Sequence, residues 1–287
     1  MTGEANNQEQ RGNPGRRFDY APDYDPAIEQ PQPVRRLELL DELRGLCILL
    51  MVGYHAVYML QWFQVNTQGL FEKLSVFQPV VAAFFIVSSG ICARLSRSNT
   101  KRGIQLALCA LLITLATGIA LPALGVTQAV ILFGILHLLA CSKLLFQLLR
   151  RPLDKLPAVI GALLCLAFFL FTYPVSKGEF SILGLYPFPL PPWLYEKTSA
   201  LLILGFHAPD FNNLDYFPLL PYFFLFLFGT FLGKYAQKEQ FPEFCYKRYM
   251  LPLGFFGKHS LLVYLLHAPA LYGLFYLLQT FAGLGGA

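Results

Sequence analysis

The chain has 287 residues, of which 55% are hydrophobic and only 14% are charged, whereas soluble domains have about 45–50% and about 25%. This composition excludes an ordinary water-soluble domain and predicts an integral membrane protein. The net charge of +5 does not indicate a nucleic-acid partner, because the cations lie between apolar runs and form no single basic face.

The first 34 residues are rich in Asn, Gln, Pro, Asp and Arg. Such a segment has too little apolar surface to offset the entropy of ordering, so residues 1–34 are predicted to be a disordered cytoplasmic tail. They contain no apolar core of a signal peptide, which leaves the first membrane span as the expected targeting signal. Residues 35–287 are predicted to form one polytopic membrane domain.

Seven apolar runs follow the tail, each close to the roughly 20 residues that a helix needs to cross a bilayer. Backbone groups inside lipid must be hydrogen-bonded within the segment, so these runs are expected to be helices. The runs are 45–63, 76–92, 104–124, 129–149, 156–173, 216–232 and 260–279. The sequence therefore predicts an all-α bundle of seven transmembrane helices.

The Lys and Arg residues predict the orientation of this bundle, because cations near helix ends are retained in the cytoplasm. With the N-terminus inside, only Lys73, Lys177 and Lys197 of the 22 Lys and Arg residues lie outside. This distribution predicts an N-in, C-out protein of the cytoplasmic (inner) membrane. The apolar segment 199–206 is interpreted as a short re-entrant or interfacial piece. If it were an eighth span, the basic cluster from Lys234 to Lys258 would lie outside the membrane.

A long Pro-rich outer loop, residues 174–215, is predicted before the sixth span. A connection of this length is usually functional. Trp193, Tyr195 and Asp210 in the loop are candidate acceptor-binding residues. A rigid cap explains the loop equally well.

Three of the five histidines lie well inside predicted spans. At a rise of about 1.5 Å per residue, His55 lies roughly 16 Å beyond Arg44 and His267 roughly 13 Å beyond Lys258, near the middle of a hydrocarbon layer of about 30 Å. Ionisable residues at that depth mark a substrate or proton path, and imidazole suits acid–base chemistry. His55 and His267 are the candidate catalytic pair, while His137 is interpreted as a structural group.

The candidate anion-binding residues lie at the inner ends of the spans. Asp41 and Arg44 can meet on one helix face, although an ordinary surface pair explains them as well. Arg94, Arg97 and Arg102 in the next inner loop suit phosphate groups, although a topology signal has the same appearance.

Two further positions have both structural and functional interpretations. Asp215 precedes the sixth span, where it serves either as a helix cap or as a catalytic carboxylate. The run Ser88-Ser89-Gly90 in the second span permits either close helix packing or close approach of a ligand, and packing is the favoured interpretation. The six cysteines form no CxxC pair and no His-Cys ligand spacing, so no metal site is expected.

Four stretches carry a family resemblance, and they read LDELRG followed by MV and His55, then FGILH, DYFPLLP and GKHSLLVYLLH. They begin at Leu40, Phe133, Asp215 and Gly257, respectively. Together they resemble the bacterial branch of the heparan-alpha-glucosaminide N-acetyltransferase catalytic-domain family, over about residues 35–281.

The resemblance implies a membrane acyltransferase that takes an acetyl group from cytosolic acetyl-CoA, with no metal. The acceptor would be an amino sugar or sugar hydroxyl of an extracytoplasmic glycan. Among the candidate residues, Asp41, Arg44, Asp215 and His267 match family positions. Arg94, Arg97, Arg102 and Lys258 would help to anchor the CoA phosphates. Membrane lipid is the expected surrounding, and the sequence is compatible with a homo-oligomer.

The resemblance leaves the general base open. In the animal lysosomal members the position of His55 is usually Asn, and the catalytic His lies in the first outer loop, whereas residues 64–75 of this chain contain no His. Three alternatives follow: His55 is the base, with His267 as a second base or acyl-holding group and Asp215 orienting one of them; His267 is the base; or acetyl transfer is not the activity. The alternative from another class is a proton-coupled transporter in which both histidines relay protons.

Overall fold

The computed structural model of the protein describes residues 35–123, 130–182, 184–198, 200–211, 213 and 215–282. This part of the chain is mostly helical, and the predicted tail, residues 1–34, lies outside it. The helices are α1 (Glu38–Leu60), α2 (Gln68–Ser75), α3 (Gln78–Arg94), α4 (Asn99–Leu115), α5 (Leu121–Ala123), α6 (Ile135–Asp154), α7 (Ala158–Thr172), α8 (Leu219–Gln237), α9 (Leu251–Lys258) and α10 (Ser260–Ala282).

Five segments of the described chain are long and apolar enough to cross a membrane, or six if α2 and α3, which are bent by 44°, form one span. The five are Glu38–Phe63, Asn99–Ala123, Ala158–Lys177, Leu219–Gln237 and Ser260–Phe281. The prediction of a helical membrane protein is confirmed.

The count of seven spans is not confirmed. Helix α6, which contains most of the fourth predicted run, is not among the candidate spans although it has 20 residues. It carries Lys143, Arg150 and Arg151, and such charges oppose insertion into hydrocarbon. The N-in orientation and the outer location of the Pro-rich loop remain predictions.

The Pro-rich segment between α7 and α8 contains a β-hairpin and several 3₁₀ turns. Strand β1 (Glu179–Ile182) pairs antiparallel with β2 (Tyr186–Pro189). Phe171, near the end of α7, packs its ring against Phe180 and Phe188 of the hairpin, with ring centres 5.1 and 6.3 Å away. Within the apolar segment 199–206, Ala200–Leu204 forms a 3₁₀ helix.

Glycine pairs bring two pairs of helices into backbone contact. A Cβ atom on Gly90 of α3 would overlap the carbonyl oxygen of Phe226 of α8, and one on Gly229 would overlap the Val87 carbonyl oxygen. Helix α1 meets α9 in the same way through Gly45 and Gly257. Small residues of this kind allow helices in a membrane to pack closely. The packing interpretation of Gly90 is confirmed.

One end of the bundle, formed by the start of α1, the end of α3 and helix α9, carries many cations and is called the basic end here. Its parts are tied together by carboxylates of α1. Glu42 accepts hydrogen bonds from the backbone N–H groups of Tyr249 and Met250 at 2.8 and 2.9 Å, just before α9 begins. Glu38 lies 3.0 Å from a guanidinium nitrogen of Arg248 and 3.5 Å from the Lys258 amine.

The close α3–α8 contact is tested by Gly90→Ala. The added methyl group has no space, so we expect the free energy of unfolding to fall by about 1–3 kcal/mol, the usual effect of overpacking. The measurement is thermal unfolding of the detergent-solubilised protein. Gly118→Ala is the matched control, because Gly118 has open space around its Cβ position; equal melting temperatures of the two variants would contradict the packing argument.

Candidate functional site

Two cavities meet in the interior of the bundle. The first, called the basic cavity, has a volume of about 430 Å³ and is lined by α1, α3, α4, α6 and α10. The second, called the apolar cavity, has about 490 Å³ and lies mainly between α1 and α3. Phe85 and Tyr264 line both cavities, so the two spaces adjoin at these side chains.

The basic cavity has the charge expected of an anion-binding site. Among its described lining residues, Asp41 is the single acid. Six cations oppose this one carboxylate. They are Arg35, Arg36, Arg44, Arg102, Lys143 and Lys258.

Arg44 is held in place by neutral groups. Its guanidinium donates to the Ser260 hydroxyl at 3.2 Å and lies 3.7 Å from the Cys92 sulfur and 5.6 Å from the centre of the Phe85 ring. The nearest contact between Arg44 and Asp41 is 3.9 Å, whereas Arg36 approaches Asp41 to 2.6 Å. Asp41 therefore neutralises Arg36 more than Arg44, which leaves positive charge deep in the cavity.

Lys143 adds a second deep charge. Its side chain is only 6% exposed, lines the basic cavity and lies 5.7 Å from the centre of the Phe226 ring. Within the described chain it has no hydrogen-bond or ion-pair partner. A buried ammonium group without a partner is costly, so an anion in the cavity would relieve that cost.

The two candidate catalytic histidines lie together, with ring centres 5.0 Å apart. His267 Nδ1 donates to the backbone carbonyl oxygen of Tyr264 at 2.6 Å, and His55 Nδ1 lies 2.8 Å from the sulfur of Met51. Both partners are acceptors, so Nδ1 carries the proton in the neutral rings. In each ring the lone pair is then on Nε2, where it can accept a proton.

Asp215 is the buried anchor beside this pair. One carboxylate oxygen accepts a hydrogen bond of 2.5 Å from the Tyr264 hydroxyl and one of 3.3 Å from the backbone N–H of Ile135, the first residue of α6. Burial raises the pKa of Asp215 to about 6, against the lowering effect of these two hydrogen bonds. Asp215 thus caps α6, not the helix that follows it in sequence.

Asp215 is linked to the histidines only through Tyr264 in the described structure. The Tyr264 ring centre is 5.5 Å from that of His267, and its backbone carbonyl holds the His267 ring. His55, Asp215 and Tyr264 all line the apolar cavity. The catalytic residues expected from sequence are therefore brought together around a tyrosine to which sequence reasoning assigned no role.

His137 has a local role. Its Nδ1 accepts a hydrogen bond from the backbone N–H of Gly134 at 3.1 Å, and its Nε2 lies 3.1 Å from the Thr114 hydroxyl oxygen. Thr114 itself donates to the carbonyl of Ile131, so it accepts from His137. These bonds join the start of α6 to α4, in agreement with the structural interpretation.

The candidate donor-binding residues fall into two groups. Asp41, Arg44, Arg102 and Lys258 line the basic cavity. Arg94 is buried and forms an ion pair of 2.5 Å with Asp154, and neither Arg94 nor Arg97 is among the residues that line this cavity.

The candidate acceptor-binding residues lie outside both cavities. Trp193 is 65% exposed and Asp210 is exposed in a turn. The Tyr195 hydroxyl donates to the backbone carbonyl of Val175 at 2.5 Å, so it stabilises the loop itself.

Tyr264, Lys143 and Phe85 are site residues that sequence reasoning missed. Tyr264 precedes His267 by three residues and so shares its helix face, which was a usable signal. Lys143 lies within the fourth predicted run and was counted there as one of the inner cations that indicate topology, and Phe85 looked like one more apolar residue of a span. Among the described residues, no group of three or more His, Cys, Asp or Glu side chains is placed to hold a metal ion.

Comparison with known proteins identifies a family. The family model described as "Heparan-alpha-glucosaminide N-acetyltransferase, catalytic" matches residues 36–269. No curated protein and no solved structure matches the chain. The matched range contains His55, Asp215, Tyr264 and His267.

The raised pKa of Asp215 predicts a pH-dependent stability. Because its pKa rises from 3.8 to about 6, the fold favours the protonated form. This contribution is fully present below about pH 4 and is lost as the pH rises through 6. Relative to Asp215→Asn, which does not titrate, the wild type should lose about 3 kcal/mol between pH 4 and 7. The measurement is the free energy of unfolding of both proteins across this pH range. A difference between wild type and Asp215→Asn that stays constant with pH would contradict the prediction.

Proposed function

Because the chain belongs to the heparan-alpha-glucosaminide N-acetyltransferase catalytic family, we propose that it transfers an acetyl group from cytosolic acetyl-CoA to an extracytoplasmic glycan. The acceptor atom is the nitrogen of an amino sugar or the oxygen of a sugar hydroxyl, and the protein lies in the cytoplasmic membrane with its basic end inside. The observation that carries the proposal is the junction at Tyr264, where a cationic cavity adjoins an apolar cavity that contains a histidine.

The donor fits the basic cavity by charge. Coenzyme A carries a diphosphate and a 3′-phosphate, and charge-assisted hydrogen bonds from guanidinium and ammonium groups are the strongest protein contacts to phosphate. Lys143 is buried without a carboxylate partner in the described chain, and the ion pair of Arg44 with Asp41, at 3.9 Å, is longer than the closest acidic contacts of Arg36 and Lys258. With phosphates at these cations, the thioester would extend toward Tyr264.

The chemistry requires one base and one leaving group. His55 is the leading base, because it lines the apolar cavity, whereas no other histidine of the described chain lines either cavity. Its Nε2 removes the proton from the acceptor nitrogen or oxygen, which forms a bond to the acetyl carbonyl carbon. The bond from that carbon to the CoA sulfur breaks, and the thiolate takes up a proton. His267 is the second base, and Asp215 acts through Tyr264 to hold it.

Membership of an acetyltransferase family does not favour the alternative function, a proton-coupled transporter.

Arg94 and Arg97 are proposed only as distant contributors to the positive potential at the donor entrance, because they do not line the basic cavity. Trp193, Tyr195 and Asp210 are proposed only as part of the acceptor's outer approach.

Donor binding is tested by thermal shift with acetyl-CoA. A ligand at 100 times its Kd stabilises the folded state by about 2.7 kcal/mol. Arg44→Gln and Lys143→Met should each raise the apparent Kd for acetyl-CoA at least tenfold, and so reduce the stabilisation at a given ligand concentration. Lys143→Met should also leave the unliganded protein at least as stable as the wild type, since it removes a buried unpaired charge.

The matched control is Arg151→Gln, which removes an exposed cation of α6 that does not line the cavity. It should bind acetyl-CoA like the wild type. If all three substitutions weaken acetyl-CoA binding equally, the effect is due to overall charge and not to the cavity. If acetyl-CoA does not stabilise the wild type, it is rejected as the donor.

The base is tested by His55→Gln and His267→Gln in an acetyl-transfer assay. Loss of a general base typically lowers kcat by about 10²–10⁴, and we expect the larger loss for His55→Gln, with acetyl-CoA stabilisation retained in both. Full activity of both variants would reject the histidine mechanism, and a larger loss for His267→Gln would assign the base to His267.

A further inference from the structure

The apolar cavity is polar in only a few places. At its inner end lie His55, Asp215 and Tyr264, and toward α2 lie Tyr54 and Gln78. Tyr54 is engaged there, with its ring stacked on that of Phe71 at 5.1 Å between centres. The remaining wall is built almost entirely from aliphatic and aromatic side chains such as Ile48, Val57, Val81 and Phe217.

This cavity opens sideways between α1 and α3. Leu50, Phe77 and Val80 line it and are also 51, 65 and 69% exposed. Leu50 lies in the middle of the α1 span, and Phe77 and Val80 lie at the start of the α3 segment. In a membrane, exposed apolar side chains of spans face lipid. The mouth of the cavity therefore faces hydrocarbon.

A free sugar is a poor occupant of such a space. Each buried hydroxyl needs a hydrogen-bond partner, and a hydroxyl without one loses the bonds that it made with water. The few polar side chains of the cavity lie at its inner end and near α2, whereas the remaining apolar wall offers no hydrogen-bond partner. A hydrocarbon chain has the opposite preference, because it makes close contact with this wall without losing hydrogen bonds.

The acetyl donor does not account for the apolar cavity either. Its phosphates are placed among the cations of the basic cavity, and an acetyl group is short enough to end at the junction of Phe85 and Tyr264. The apolar cavity lies beyond that junction and has its own mouth. A second substrate that arrives by a second route explains this arrangement.

We propose that the acceptor is an amphiphile, a sugar carried on a hydrocarbon chain, which enters from the bilayer between α1 and α3. Its nucleophilic group lies at His55, Tyr264 and Asp215, and its chain fills the apolar cavity. This inference rests on the proposed acetyl transfer and names the class of acceptor. Atoms balance as in that reaction, because the chain takes no part in bond making or breaking.

The first experiment compares two acceptors with the same sugar. Full-length protein in lipid nanodiscs is given acetyl-CoA with either glucosamine or decyl glucosaminide, and acetylated product is measured. We expect kcat/KM for the alkyl glycoside to be at least 100-fold higher. Equal kcat/KM values for the two acceptors would overturn the inference.

The second experiment narrows the cavity. Gly53 lines it and has open space around its Cβ position, so Gly53→Leu extends into the cavity without a clash at Cβ. We expect KM for decyl glucosaminide to rise at least tenfold, with unchanged stabilisation by acetyl-CoA. Gly118→Leu is the matched control, since Gly118 is exposed, has open space and lines neither cavity. Equal KM values for the two variants would overturn the inference.

The two experiments also separate this inference from the proposed function. If acetyl-CoA does not stabilise the protein, the proposed acetyl-transfer function itself is rejected. If acetyl-CoA stabilises the protein but free glucosamine is as good an acceptor as decyl glucosaminide, only the proposal of a lipid-linked acceptor is rejected. Faster transfer from palmitoyl-CoA than from acetyl-CoA, abolished by Gly53→Leu, would assign the apolar cavity to the donor chain and overturn the inference.

Discussion

The hydrogen bond between the Tyr264 hydroxyl and the buried Asp215 carboxylate joins the parts of this protein that matter for chemistry. Asp215 also accepts the backbone N–H that begins α6, so one carboxylate ties α6 to α10. Tyr264 lines both cavities, and its backbone carbonyl orients His267. Because a buried carboxylate needs hydrogen-bond donors, this small network positions the boundary between the two cavities and the histidine beside it.

The electrostatics of the basic end serve two purposes. Several of its cations are neutralised by acids that connect the starts of α1 and α9, as in the contacts of Glu38. Arg44 and Lys143 differ, because one is held mainly by a hydroxyl and an aromatic face and the other is buried without a partner in the described chain. Cations that a fold leaves unneutralised in a cavity are suited to a polyanionic ligand. In the apolar cavity next to them, the wall favours hydrocarbon instead.

Close backbone packing supports both cavities. The glycine contacts of α3 with α8 and of α1 with α9 fix the positions of α1 and α3, the two helices that form most of the wall of the apolar cavity. An apolar cleft within a tightly packed protein requires such support, since loosely held walls would collapse into it.

The sequence by itself determined the membrane environment, most of the helical segments and the family, and it selected His55, His267, Arg44 and Asp215 as candidate site residues. These features depend on local hydropathy, spacing and motifs, which are legible along the chain. Only the tertiary structure decided that Asp215 caps α6, that His55 and His267 lie side by side, that Tyr264 stands between two cavities, and that Arg94 pairs with Asp154 instead of lining the donor cavity. Such contacts join residues far apart in sequence, so their partners depend on how the helices pack. A charge count likewise treats Lys143 as one more cation near a membrane surface, and only the fold buries it inside a cavity without a counterion.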